Sequence, residues 1–357
     1  MIVGGDPERR GVVVSASYEA RPFNIHAGMP LSKARRLCPE AIFIQANFPR
    51  YREASHRFME LLAEFSPCIE PLGLDEAYLD VTGYEEPYGS PGKLALAIKE
   101  RIYKELKLTA SIGIATCKVV AKIASTSCKP NGLREITPGE ELHFLNHLPI
   151  AKLPGVGKKT EQALNEMGIA TIGELALLPA DAVKKRFGKF GMVIHSYANG
   201  IDGRKVEAPG EPKSISKQNT FARDTSDSHF LEANLHRLCE QVSAELRYQD
   251  KQTKCVTLKL RDADFKTITR QVTLKQASNI GQVISSSALQ LLSKVLAQKE
   301  KPIRLIGIKV SSLYSKEGQL YMFNTETQKW GHLDKAIDEI RRKYGSRAIK
   351  KGRDILI

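Results

Sequence analysis

The spacing of apolar residues changes period several times along this chain. Within residues 51–65, Phe58, Leu61, Leu62 and Phe65 recur at three- and four-residue intervals, which predicts an amphipathic helix. Residues 93–106 repeat the pattern through Leu94, Ala97, Ile98 and Ile102. Residues 12–14, three valines, read as a strand followed by a turn and a helix over 31–37. Residues 68–81 are strand-like but interrupted by Pro71 and Gly73, which predicts a hairpin. Residues 108–115 alternate as a strand, and 118–127 return to helical spacing. Hairpin, helix, strand and helix in that order predict an α+β sheet with helices on one face.

Residues 142–200 read as short helices separated by Pro-Gly or Gly signals. Residues 203–213 (GRKVEAPGEPK) carry two prolines, two glycines and mixed charge, the composition of a linker. Beyond it, 256–261 and 267–274 alternate as strands, 280–296 is helical and 305–313 is a strand, together a small α/β domain. A last helix is predicted at about 333–344. With 357 residues the chain exceeds one ordinary core, so two to four domains are expected.

Charge changes this picture. The net charge is +14, and residues 204–357 carry +12 of it, with 29 Lys and Arg against 17 Asp and Glu. A basic C-terminal domain points to a polyanion partner, nucleic acid first; the alternative is a basic surface with no ligand. Composition narrows the class further. The hydrophobic fraction of 42% and charged fraction of 26% are those of a soluble globular protein. No run is apolar enough for a membrane span, and the first residues lack a signal-peptide pattern. Six cysteines, at 38, 68, 117, 128, 239 and 255, form no CxxC pair, so neither a zinc site nor a disulfide framework is indicated and a reducing cytoplasm is expected.

Four segments carry candidate chemistry. Asp75 and Glu76 are adjacent carboxylates in the hairpin. Neighbouring strand residues face opposite ways, so both reach one metal cluster only at a bend, which Gly73 can provide. Carboxylates are the ligands expected for Mg²⁺; the alternative is a solvated turn. Ser15, Tyr18 and Arg21 follow the valine strand, where a hydroxyl, a phenol and a guanidinium can grip a polyphosphate; the alternative is a strand end with a surface arginine. Lys118, Lys122, Ser125 and Lys129 fall on one helical stripe opposite Val119, Val120 and Ile123, either to meet phosphate or as a solvated face. Leu153-Pro154-Gly155-Val156-Gly157-Lys158 is a helix-hairpin-helix signature. The amides at the following helix start can take a DNA phosphate; the alternative is a helix link without ligand.

Taken together, these segments resemble the Y-family of DNA polymerases, in the DNA polymerase IV branch. The matching stretches are 11–39 (GVVVSASYEARPFNIHAGMPLSKARRLCP), 71–81 (PLGLDEAYLDV), 109–132 (TASIGIATCKVVAKIASTSCKPNG), 148–168, 186–202 (RFGKFGMVIHSYANGID) and 213–224 (KSISKQNTFARD), in the family's order and spacing. The resemblance implies a multidomain α+β right-hand polymerase: fingers at 1–46, palm at 47–136, helix-hairpin-helix thumb at 137–202, linker at 203–213, α/β little finger at 214–315, and a C-terminal tail at 316–357. It implies template-directed, low-fidelity translesion synthesis with two Mg²⁺ ions, primer–template DNA and dNTPs, by a bacterial cytoplasmic, nucleoid-associated monomer without membrane contact.

By the same resemblance Asp75 and Glu76 are the metal ligands and catalytic carboxylates, and Ser15, Tyr18, Arg21 and Lys129 contact the triphosphate. Gly155, Gly157 and Lys158 bind DNA. Gln319, Leu320, Met322 and Phe323 resemble a sliding-clamp-binding peptide, with Met322 where Leu is commoner and 34 residues still to follow; the alternative is an exposed strand or tail. Family members carry about thirty further residues before the position of Met1, with a first palm strand, a third metal-binding Asp and an aromatic steric gate. A chain begun there is expected to hold divalent cations less well and to expose a strand edge. The alternative function is a non-catalytic DNA- and clamp-binding fragment.

Overall fold

The structure is a computed structural model that describes residues 1–8, 10–298, 301–315, 325–345, 348–349 and 352. It divides into two compact units, one of residues 1–46 with 211–357 and the other of residues 47–210.

Residues 1–46 build a three-stranded sheet and a helix. Strand β1 (Ile2–Gly4) lies between β2 (Ser15–Ala16), antiparallel, and β3 (Phe43–Gln45), parallel; helix α1 (Leu31–Leu37) precedes β3. The valine segment is extended as expected, with the Val13 amide on the Met29 carbonyl and the Val14 amide on that of Val3. Regular pairing with β1 is nevertheless confined to Ser15–Ala16, because Val12 bridges to Pro30 instead. Ile2, Val13, Ile25 and Leu31 form the core of this part.

Residues 47–210 start with α2 (Phe48–Ala63), entered through Asn47, whose side chain accepts from the Arg50 amide. Strands β4 (Ile69–Pro71) and β5 (Ala77–Leu79) follow as the hairpin, then α3 (Pro91–Leu106), capped by Ser90. Leu61 and Leu62 of α2 pack with Leu94, Ile98 and Ile102 of α3 and with Ala77 and Leu79 beneath the hairpin. Strand β6 (Ile112–Ile114), α4 (Lys118–Ser127) and β7 (Leu133–Glu135) come next, β6 and β7 pairing in parallel. The single sheet expected here is instead two separate pairs, β4–β5 and β6–β7. Each strand has only three residues, and among the described residues no hydrogen-bonded ladder joins the pairs.

Five helical segments complete this unit: α5 (Glu141–Asn146), a 3₁₀ turn (Ile150–Lys152), α6 (Lys158–Asn165), α7 (Ile172–Ala176) and α8 (Ala180–Ala198). Thr171 and Glu174 form a reciprocal capping box at the start of α7. Helix α8 is two helical pieces that meet at Gly188. Leu145, Leu164, Ile172, Leu175 and Ile194 share a core with Val119, Val120 and Ile123 of α4.

Residues 211–357 form a four-stranded antiparallel sheet in the order β10–β9–β11–β8, with helices on one face. The elements are β8 (Ser214–Thr225), α9 (Ser228–Tyr248), β9 (Lys251–Asp262), β10 (Thr267–Ser278), α10 (Gly281–Leu296), β11 (Ile303–Ser315) and α11 (Thr325–Tyr344). Alternation along β9 and β11 buries Val256, Leu258, Leu260, Ile306, Ile308 and Val310 against α9 and α10. Helix α11 is no loose tail. Arg247 of α9 reaches Asp334 and Asp338 on it, and Ile337 is buried. Arg10 ties the first 46 residues to β8 through the Phe221 carbonyl and Asp224.

Candidate active site and nucleic-acid interface

The hairpin turns between Pro71 and Ala77, which are paired across it. Gly73 supplies the bend at φ +87°, in the left-handed region that suits glycine, and the Leu72 amide closes the turn on the Glu76 carbonyl at 2.7 Å. Asp75 stands exposed on the turn and, among the described residues, makes no hydrogen bond or ion pair.

Glu76 enters the next strand on the side shared with Tyr78, and Tyr78 lies opposite Glu70. This face meets α4. Lys118 and Lys122, one helical turn apart, pair with Glu70 (2.6 Å) and Glu76 respectively. Lys129, beyond the end of α4, places its Nζ 3.9 Å from Glu76 Oε1. Glu76 and Lys129, each singled out in the sequence, are therefore brought together. The lysine stripe is not a solvated face: Lys118 is only 7% exposed and Val119, Val120 and Ile123 fill the opposite side.

Electrostatics follow from this packing. Burial pushes the Tyr78 phenol up to about 12, keeping it neutral. Burial also works against ionised Glu70, but hydrogen bonds from Lys118 and the Glu207 amide outweigh it and hold the carboxyl below its usual range. Lys118 also donates to the Lys205 carbonyl at 2.7 Å, so residues 205–207 are clasped onto the hairpin. Beside them Arg204 grips Asp202 through two bonds of 2.7 and 2.8 Å.

In the other unit, Tyr18 and Arg21 share the 3₁₀ turn Tyr18–Phe23. The Arg21 guanidinium lies 3.9 Å from the centre of the Tyr18 ring, and its Nε donates to the Ala16 carbonyl at 3.4 Å. Ser15 is exposed on β2, and Tyr18 and Arg21 are exposed beside it. The turn before α6 places Gly155 at φ +94°, while Gly157 is extended and begins α6. Gly157 offers no side-chain cap, so the first amides of α6 have no side-chain acceptor there, and Gly155, Gly157 and Lys158 are all exposed. Gln319, Leu320, Met322 and Phe323 lie outside the described residues.

Residues 1–126 match the impB/mucB/samB family, residues 212–322 the C-terminal domain of that family, and residues 151–202 the thumb domain of DNA polymerase-iota. The chain is 49% identical over 353 residues to the DNA polymerase IV of Dehalococcoides mccartyi strain CBDB1, spanning 99% of this chain and 90% of that relative. It is 37% identical over 355 residues to the DNA polymerase IV of Desulfatibacillum aliphaticivorans, spanning 98% and 89%. The chain belongs to the Y-family of DNA polymerases.

Solved Y-family structures agree. A Y-family DNA polymerase chimera of Dbh and Dpo4 superposes with a TM-score of 0.78 at 29% identity, covering 88% of this chain and 92% of that one. An insertion ternary complex of Dbh DNA polymerase gives a TM-score of 0.60 at 28% identity with the same coverage. Against that family background, two groups stand out that reading single motifs did not reveal. One is the set of partners Glu70, Lys118 and Lys122. Glu70 carried no motif, and the lysines' partners lie about fifty residues away in sequence. The other is the open face of the four-stranded sheet. Thr257, Lys259 and Arg261 on β9 face Gln271, Thr269 and Thr267 on β10, and Lys309 on β11 lies beside Thr257. The alternation Val256-Thr257-Leu258-Lys259-Leu260-Arg261 was the available signal.

Proposed function

We propose that this Y-family chain extends a primer along a DNA template, damaged templates included, by nucleotidyl transfer from dNTPs. The observation that carries the reading is the hairpin bend: Asp75 and Glu76 adjacent, with Lys122 and Lys129 converging on Glu76. Two hard carboxylates at an exposed bend suit divalent cations, and Asp75 makes no hydrogen bond or ion pair among the described residues, while Glu76 would exchange the Lys122 ammonium for a metal ion. Asp75 and Glu76 would hold the Mg²⁺ ions, two in number, and when bound these ions stabilise charge on the attacking and leaving oxygens.

The protein's own residues do the rest. Lys129 meets the triphosphate as a point charge, and Arg21, steadied by Tyr18 and aided by Ser15, binds it through a forked donor. The uncapped start of α6 at Gly157 and Lys158, with the turn at Gly155, takes a DNA phosphate. Lys259, Arg261 and Lys309 on the open sheet face neutralise further phosphates and leave sequence unread. In this reading residues 1–46 are fingers, 47–136 palm, 137–202 thumb and 214–315 little finger. The protein works as a monomer on nucleoid DNA in the bacterial cytoplasm, with Gln319, Leu320, Met322 and Phe323 engaging a sliding clamp. Deletion of residues 319–323 then leaves unassisted synthesis intact and removes stimulation by the clamp.

A second reading, a non-catalytic DNA- and clamp-binding protein, is favoured by one observation. Among the described residues no group of three or more His, Cys, Asp and Glu is placed to hold a metal ion. Primer extension with Mg²⁺ and dNTPs, run beside DNA binding, separates the two. Extension that Asp75→Ala and Glu76→Ala each abolish, with DNA affinity unchanged, supports the polymerase. DNA binding without extension supports the second reading. Extension that survives both substitutions rejects the metal-ligand assignment.

A further inference from the structure

Lys99 carries no recognisable motif, yet its ammonium is one of the most heavily solicited groups in residues 47–210. It projects from α3 and donates to the Ala110 carbonyl (2.6 Å), the Asn131 carbonyl (2.7 Å), the Asn131 side-chain Oδ1 (2.8 Å) and the Gly132 carbonyl (3.2 Å). An ammonium has three protons and no accepting atom, so four oxygens around it satisfy it fully. Burial holds its pKa below the usual lysine value. A lysine that served only as surface charge would have no reason to bring three backbone carbonyls to one point.

What those oxygens have in common is their position. Asn131 and Gly132 lie in the short connection between α4 and β7, one proline beyond Lys129. Asn131 sits at φ +49°, in the left-handed region that asparagine tolerates, which turns its carbonyl and side chain to the Lys99 ammonium. Ala110 lies on the approach to β6, whose Ile112 amide donates to the Gly132 carbonyl at 3.1 Å. Lys99 therefore joins three segments, α3, the approach to β6 and the loop after Lys129. The loop is in turn where the Lys129 ammonium comes within 3.9 Å of Glu76.

We infer that Lys99 is a positioning residue for nucleotide binding: it pins the loop that aims Lys129 at the triphosphate. This inference rests on the role proposed above for Lys129. Lys99 itself touches no substrate. Its removal takes the ammonium from the carbonyls of Ala110 and Asn131 and from the Asn131 side chain, leaves Gly132 only its bond from the Ile112 amide, and lets the loop regain conformations in which Lys129 points elsewhere.

The test is a double-mutant cycle on the full chain bound to a primer–template with a dideoxy-terminated primer, reading the Kd of the next correct dNTP. Lys99→Met is expected to weaken dNTP binding roughly threefold to thirtyfold. In a Lys129→Ala background the same substitution is expected to add nothing. Hydrogen exchange is expected to quicken at the Ile112 and Gly132 amides in Lys99→Met, while amides at the centre of α3 and the affinity for DNA stay as they were. Should Lys99→Met not fold, Asn131→Gly removes one acceptor of the same cluster, tolerates the positive φ, and is expected to act in the same direction with smaller effect.

Unchanged dNTP affinity in Lys99→Met, with Lys129→Ala weakened, overturns the inference and leaves the role of Lys129 standing. Additive losses in the double mutant also overturn it, since Lys99 then acts by another route. An unchanged Kd in Lys129→Ala alone removes the nucleotide role of Lys129, and Lys99 then has no triphosphate ligand to position.

Discussion

Arg247 Nη1 and Asp334 Oδ2 stand 3.2 Å apart, joining α9 to the C-terminal helix α11, with the Asp334 side chain 1% exposed. The same carboxylate oxygen accepts from the Gly281 amide at 2.8 Å, and the Arg247 guanidinium also reaches Asp338 and the Asn279 carbonyl. A buried pair with its remaining donors and acceptors satisfied is costly to break from one side, because the surviving charge is left without its partner. Asp334→Ala is expected to destabilise this unit by about 3 to 5 kcal/mol. The paired replacement Arg247→Met with Asp334→Leu is expected to do less damage than either half. Urea unfolding of Asp334→Ala, the two halves and the double replacement measures this; a loss in the double replacement equal to the sum of its two halves would mean that the pair is not coupled.

The two glycines of the thumb hairpin make opposite predictions. Gly155 sits at φ +94°, where an added Cβ also comes 3.3 Å from the Phe190 ring. Gly155→Ala is expected to lower stability by about 1 to 2 kcal/mol. Gly157 is extended, and a Cβ there meets nothing within 4 Å. Gly157→Ala is expected to keep stability and weaken DNA binding, because the methyl group obstructs a phosphate approaching the first amides of α6. Thermal unfolding and fluorescence anisotropy with duplex DNA read the two effects separately.

The open face of the four-stranded sheet should show itself in salt dependence. Replacing Lys259, Arg261 and Lys309 by Ala removes three cations from residues that point away from the helices. The slope of log K against log salt concentration for duplex DNA is expected to become shallower by roughly 0.9 for each phosphate that these side chains neutralise. A parallel shift in affinity with an unchanged slope would place the DNA elsewhere.

The clasp between Lys118 and Glu70 predicts a pH dependence. Glu70 is held below its ordinary value of 4.5 in the folded protein. The stabilisation it contributes is therefore complete above about pH 4.5 and is lost as the pH falls through the lower, folded value. Lys118→Met is expected to reduce stability by about 1.5 to 3 kcal/mol at neutral pH, the range of a hydrogen bond to a charged group. The difference from the parent should narrow steadily below pH 4.5. Urea midpoints at pH 7, 5 and 3.5 provide the check, and a gap independent of pH would show that Glu70 is not the partner that matters.

Local chemistry was legible in the sequence wherever neighbours in the chain determine the outcome. The helices over 31–37 and 118–127 fall at the expected residues, because apolar spacing and flanking signals act within a few turns. The hairpin bend at Gly73 and the glycine turn at 155 were legible for the same reason. The Asp75–Glu76 pair, Lys129, Tyr18 and Arg21 were singled out because motif order along the chain resembles a family.

Only the tertiary structure decided which charges meet. Lys118 and Lys122 looked like a phosphate-seeking or solvated stripe, yet α4 packs its lysines onto Glu70 and Glu76, some 46 to 48 residues earlier. Lys99 belongs to no motif in the sequence, and only the fold brings carbonyls from residues 110, 131 and 132 around it. The single sheet expected in residues 68–135 was divided into two pairs, since strand pairing depends on edges brought together from distant segments, which periodicity does not encode. Periodicity reports which face of an element is apolar. The partners that satisfy its polar groups are chosen by long-range packing, where burial penalises any charge or carbonyl left alone.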